Sequence, residues 1–148
     1  MKRLWLRLSF LSILAVSLIS LSCDSATSPR LGLNIVASVS QHITFRIGVE
    51  NTGLKKETLT FGSSQFFDIE VKDQGGHLVW QYSYGLYFAA LVWNLELAPG
   101  ESSQVREYVW NLMGNDQEPL PSGSYKAKIY ITNSRRDEGL STVISLTI

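Results

Sequence analysis

One thiol, two imidazoles and a trio of carboxylates are the side chains in this sequence that could do chemistry. Cys23 is the only cysteine, so no disulfide can form within the chain. His42 and His77 stand far apart, and neither has a cysteine or histidine at the close spacing a zinc site needs. Asp68, Glu70 and Asp73 place three carboxylates close together, a set of oxygen ligands that would suit calcium. Their pattern argues for a plainer role. Asp68 and Glu70 fall at the outward positions of an alternating strand and Asp73 caps the turn after it, so the trio reads as surface charge. Serine, histidine and aspartate are all present without a nucleophile-elbow motif to join them. The expectation is a chain with no metal, no cofactor and no catalytic centre.

The setting of Cys23 gives its sulfur a different use. Lys2, Arg3 and Arg7 form a basic start, and Leu8 to Leu21 is an apolar run broken only by serines, the two leading parts of an export signal. The run is short of the roughly 20 apolar residues that span a bilayer. Ile19-Ser20-Leu21-Ser22-Cys23 resembles a bacterial lipobox, in which the lipid is joined through sulfur and cleavage then leaves cysteine first. Ser22 is the small residue that cleavage requires, while Ser20 stands where leucine is usual, so ordinary signal cleavage nearby stays open. The organisation expected is a signal peptide over 1–22, a lipidated Cys23 with a polar tether over 23–30, and one domain over 31–148. That places the domain outside the cytoplasm, held at the cell envelope through acyl chains that each contribute about 0.8 kcal/mol per buried methylene.

Composition narrows the partners. The chain holds 13 basic and 13 acidic side chains, and losing Lys2, Arg3 and Arg7 with the leader leaves an acidic excess. Nucleic acid needs clustered lysine and arginine, and the only adjacent basic pairs beyond the leader are Lys55-Lys56 and Arg135-Arg136. Both read as solvated loop charges, which excludes nucleic acid as a partner. The remaining length suits a single core built without disulfides, with large aromatics supplying much of the buried area.

The elements follow from period-two alternation. Ile43, Phe45, Ile47 and Val49 share one face against His42, Thr44, Arg46 and Glu50, and Asn51-Thr52-Gly53 turns the chain. Leu59 and Phe61, then Phe67, Ile69 and Val71, then Tyr125, Ala127, Ile129 and Ile131 repeat the pattern, and Ile144, Leu146 and Ile148 close it. Leu78, Trp80 and Tyr82 start a further strand after the turn Asp73-Gln74-Gly75-Gly76. Pro99-Gly100 is a type II turn signal, because proline presets the first central residue and glycine accepts positive φ at the second. Over Val105 to Trp110 either face could turn inward. No amphipathic helix is legible after the leader, so the fold class expected is all-β, an Ig-like antiparallel β-sandwich of about seven to nine strands in a single domain.

A set of short landmarks gives a second kind of information. Val49-Glu50-Asn51-Thr52, Leu59-Thr60-Phe61-Gly62-Ser63-Ser64-Gln65-Phe66-Phe67-Asp68-Ile69-Glu70-Val71 with Asp73, and Gly76-His77-Leu78-Val79-Trp80 with Ser83 occur in order. Phe88, Leu97-Ala98-Pro99-Gly100-Glu101, Trp110 and Pro121-Ser122-Gly123-Ser124-Tyr125 continue the series. From about Val49 to Ile131 the chain resembles the BsuPI family, the intracellular proteinase inhibitor domain. The resemblance implies a β-sandwich and, by the family's description, an inhibitor of serine proteinases. It carries over no reactive site, and the leader is at odds with an intracellular setting.

The segment from Tyr82 to Trp93 breaks the alternation and is the most aromatic in the chain. Large aromatics are usually core, so the first expectation is that it crosses between the sheets and buries most of these groups. The second is that Tyr84, Tyr87, Phe88 and Trp93 form a partner-binding surface, since tyrosine and tryptophan are enriched where proteins bind one another. Gly85 to Ala90 is long enough to present an extended segment to a proteinase cleft. The connection from Leu112 to Ser122 is a weaker alternative. The function expected is a proteinase inhibitor or protein-binding domain of a lipid-anchored envelope protein. Its rival is a non-inhibitory Ig-like accessory module for envelope assembly or adhesion.

Overall fold

The computed structural model describes residues 31–39, 41–133 and 140–148. The leader, Cys23, the tether and the Arg135-Arg136 pair lie outside the described residues. Nine strands are present among those described: β1 (Leu31–Val39), β2 (Ile43–Asn51), β3 (Glu57–Phe61), β4 (Phe67–Lys72), β5 (Leu78–Gln81), β6 (Trp93–Leu97), β7 (Arg106–Trp110), β8 (Ser124–Ile131) and β9 (Ser141–Thr147). All pair antiparallel, in a three-stranded sheet ordered β1-β2-β7, a β3-β6 ribbon, and a four-stranded sheet ordered β5-β4-β8-β9. The result is the Ig-like all-β sandwich that the alternation predicts.

The core forms where the apolar faces meet. Ile43, Phe45, Ile47 and Val49 of β2 are fully buried, as are Ile69 and Val71 of β4 and Ala127 and Ile129 of β8. Each of the buried valine, isoleucine and phenylalanine side chains contributes about 1.5–3 kcal/mol relative to exposure. Aromatic stacking fastens the two sheet edges on one side. Trp80 of β5 stacks on Trp110 of β7 at 4.6 Å between ring centroids and on Tyr108 at 5.8 Å. This settles the face of β7 that the sequence left open: Tyr108 and Trp110 turn inward, and Val105 and Val109 are left exposed.

Turn chemistry fixes the ends. Glu101 N donates to Ala98 O at 3.0 Å and Gly100 has φ of 75°, the type II turn that Pro99-Gly100 signals. Asp73 N donates to His77 O, Gly76 N to Asp73 O, and Gly76 has φ of 83°, closing the β4–β5 hairpin. The Tyr125 hydroxyl donates to Pro121 O at 2.7 Å, a corner that recurs in sandwiches of this kind. Asn51 is fully buried, and its amide donates to both Lys55 O and Leu97 O, at 2.8 and 2.9 Å. One side chain thereby ties the end of β2 to the β3–β6 ribbon.

Two expectations about β5 need correction. Leu78 is exposed where alternation with Trp80 places it inward, because the β4–β5 register slips between Val71 and Lys72, so that Lys72 faces Leu78. Tyr82 lies past the strand end, in the turn of residues 82–85.

Candidate functional site

The segment between β5 and β6 is built on a buried carboxylate. Asp68, on the outward side of β4, is only 3% exposed, so the reading of it as a solvated surface charge is wrong. The chain beyond β5 bends over it. Its oxygens accept from Ile69 N at 2.9 Å, Ser83 N at 3.1 Å, Ser83 Oγ at 2.7 Å and Gln81 Nε2 at 2.8 Å. The Tyr130 hydroxyl from β8 lies 3.2 Å from Asp68 and 3.3 Å from Glu70, so one phenolic proton serves two carboxylates. Burial first, and the Asp68 and Glu70 charges after it, push the Tyr130 phenol well above its ordinary value. With its lone pairs engaged by protein donors, Asp68 serves the fold, and among the described residues no group of three His, Cys, Asp or Glu side chains is arranged to hold a metal.

From that base the chain makes a loop pinned at short intervals. Tyr84 N donates to Gln81 O and Leu86 N to Ser83 O, both at 3.1 Å, around Gly85, whose φ of 72° suits glycine. Three residues further on, Ala89 N donates to Ser64 Oγ at 3.0 Å while Ser64 N donates back to Ala89 O at 2.9 Å. Residues 86–92 form no helix, strand or turn, and none of them has positive φ. The segment is therefore irregular yet held to the body at Leu86 and Ala89.

The four aromatic candidates divide. Tyr84 is largely exposed and Tyr87 is fully exposed. Phe88 is half-buried, its ring 6.2 Å from that of Tyr82, which itself stacks on Phe67 and meets Tyr108 edge-on. Trp93 is half-buried in β6: its ring stacks on Phe61 at 4.1 Å and its indole N–H donates to Ser63 O at 2.7 Å. Most of the segment is not core, contrary to the first expectation. Leu86, Leu91 and Val92 are exposed together with the two tyrosines. No charged residue occurs from Leu78 to Leu95, so the segment is uncharged as well as exposed.

The connection after β7 has a structural occupation. Asn115 N donates to Val79 O at 2.9 Å and its side-chain oxygen accepts from Gln81 N at 3.0 Å, covering the outer edge of β5. Leu112 to Ser122 is thus a connection that seals a sheet edge. Sequence reasoning also passed over a polar depression of about 630 Å³ on the outer face of the four-stranded sheet, lined by Gln65, Asp68, Glu70, Lys128, Tyr130 and Asn133 among others. Asn133 is buried there, and its side-chain nitrogen has no hydrogen-bond partner among the described residues. No local sequence pattern marks it, because its walls come from strands far apart in the chain.

A family model described as intracellular proteinase inhibitor, BsuPI, matches residues 33–136. The chain belongs to the BsuPI family. The family landmarks have visible work in this structure: Asn51 ties two sheet elements, Asp68 gathers the start of the loop, Trp80 joins the sheets, and Pro99-Gly100 and Tyr125 make corners. The family's description is that of an inhibitor, a non-catalytic protein that acts by binding a proteinase. No curated protein matches the chain. Similar solved structures include a beta-glucosidase from Kluyveromyces marxianus in complex with glucose, at 15% identity and TM-score 0.44 over 80% of this chain and 14% of that one. Another is the CARDB domain of the PF1109 protein from Pyrococcus furiosus in complex with di-metal ions, at 17% identity and TM-score 0.39 over 79% of this chain and 85% of that one. The BsuPI chain spans about a seventh of the glycosidase's length, and at these similarities neither structure bears on its activity.

Proposed function

We propose that this BsuPI domain is the protein-binding head of a lipid-anchored envelope protein and inhibits an extracytoplasmic serine proteinase by occluding its cleft with residues 84–92. The observation that carries this reading is the loop itself: apolar, uncharged, exposed, and pinned to the fold through Ser83, Leu86 and Ala89. Exposed apolar residues grouped in this way mark a surface that a partner covers. A pinned loop also loses little conformational freedom on docking, which favours affinity. The sequence supports export and anchoring through Lys2, Arg3, the apolar run and Cys23.

Titration of the purified full chain against a panel of extracytoplasmic serine proteinases tests the inhibitory part. Saturable loss of activity at a fixed molar ratio, with the chain left intact, is expected. Absence of inhibition across the panel assigns the domain instead to the non-inhibitory accessory role in envelope assembly or adhesion. Metabolic labelling with an alkyne-bearing fatty acid tests the anchor, with label expected on the native chain and lost in Cys23→Ala.

A further inference from the structure

Within the loop one residue stands apart. Leu86 is tied through its N–H to Ser83 O, and Ala89 is tied through both its N–H and its carbonyl to Ser64. Only Tyr87 and Phe88 lie between these anchors, and the Phe88 ring turns back toward Tyr82. Tyr87 alone projects, with its whole side chain in solvent. A large ring held out on a short, tethered segment is the shape that enters a proteinase's primary specificity pocket.

We propose that Tyr87 is the residue that fills that pocket, and that the target is a proteinase whose pocket takes large aromatic rings. This rests on the inhibitory reading above. The chemistry excludes the alternatives. A pocket lined by an acidic group selects lysine or arginine, and the loop contains neither; no basic residue occurs between His77 and Glu96. A pocket narrowed for small side chains rejects a phenol, and of the alanines that would suit it Ala89 is itself tied down by Ser64 and Ala90 lies beyond that anchor. Tyr84 is exposed as well, but it sits inside the turn over residues 82–85, its own N–H bonded to Gln81 O, ahead of the segment tied at Leu86 and Ala89.

The test uses the full chain and three probe enzymes: chymotrypsin, with an aromatic pocket; trypsin, with an acidic one; and elastase, with a small one. Inhibition of chymotrypsin with little effect on trypsin or elastase is expected. Tyr87→Ala should weaken that inhibition by about 30-fold or more, the loss typical of a central contact residue. Tyr84→Ala should weaken it much less. Tyr87→Lys should transfer inhibition to trypsin. Thermal melting of each variant should match the parent, since the Tyr87 ring touches nothing in the fold. If the chain inhibits any of the three enzymes but Tyr87→Ala leaves the constant unchanged and Tyr87→Lys gains nothing against trypsin, the assignment of Tyr87 fails and the inhibitory reading survives. If none of the three is inhibited while another proteinase of the wider panel is, the aromatic-pocket target is overturned alone. If no proteinase at all is inhibited, both fall together.

Discussion

Both oxygens of the Asp68 carboxylate are bonded by Ser83, one through the backbone N–H at 3.1 Å and the other through Oγ at 2.7 Å. This pair joins the middle of the four-stranded sheet to the first residues of the exposed loop. It makes the loop's starting direction a property of the core. Gln81 and Tyr130 close the same carboxylate from two further sides.

Replacing Asp68 by asparagine should therefore act on both stability and loop order. The new amide nitrogen would face Gln81 Nε2, putting donor against donor in a buried place, and the Ser83 hydroxyl, which now donates to Asp68, would have to turn and accept. A loss of about 1–3 kcal/mol is expected from such a mismatch. Urea unfolding reads the stability change, and amide exchange at Leu86 and Ala89 should quicken. Ser83→Ala should reproduce the faster exchange with a smaller stability loss.

Trp93 and Tyr87 should separate cleanly in a stability assay although both belong to the same aromatic run. Trp93→Ala removes a ring stacked on Phe61 and the indole bond to Ser63 O. About 2–4 kcal/mol is expected, toward the lower side of the range for aromatic truncations because the ring is half-buried. Tyr87→Ala removes a ring that touches only water, so a change within about 0.5 kcal/mol is expected. Chemical denaturation of the two variants beside the parent checks this, and it makes Tyr87 rather than Trp93 the informative probe of binding.

Asn51 should be the most sensitive polar position at its end of the sandwich. Its amide group satisfies Lys55 O and Leu97 O while its oxygen accepts from Gly53 N at 2.9 Å. Asn51→Asp keeps the shape and sets a carboxylate oxygen against two carbonyls. A loss of about 2–4 kcal/mol at neutral pH is expected, from two carbonyls left unpaired in a buried site. Thermal melting should show it as a drop of many degrees.

The sequence disclosed the apolar faces well and the polar interior poorly, for a single reason. Alternation is a local property, so β2, β4 and β8 could be read from neighbours two residues apart. The same parity put Asp68 on the outer face of β4, which is correct, but burial there depends on Gln81, Ser83 and Tyr130 folding over it from elsewhere in the chain. The loop failed in the opposite direction. Its aromatic density suggested core, yet Tyr84 and Tyr87 are exposed, because the anchors that hold the loop outward are hydrogen bonds to Ser64 and Ser83 that no periodicity encodes. The face of β7 was undecidable for a similar reason: its two sides are distinguished by contacts of Tyr108 and Trp110 with Trp80 and Tyr82, which come from another part of the chain.

Alkaline pH should weaken the fold through Tyr130. Its phenol is held above the ordinary value mainly by burial and then by the Asp68 and Glu70 charges, whereas in the unfolded chain it ionises near pH ~10. A group whose folded pKa is raised contributes its stability fully below the unfolded value and loses it as pH climbs toward the folded one. The folded state therefore holds a proton that the unfolded state releases, and stability should fall as pH rises above about 10. Tyr82 and Tyr108 are shifted the same way, burial again leading, and they remain in either protein. Tyr130→Phe removes only one titrating phenol. Its urea midpoint should thus decline less steeply than that of the parent between about pH 9 and 11, even though it starts lower for want of the hydroxyl bond to Asp68. Equal slopes in the two proteins would mean that Tyr130 ionises as readily folded as unfolded, and that the proton it places between Asp68 and Glu70 adds nothing to the loop's foundation.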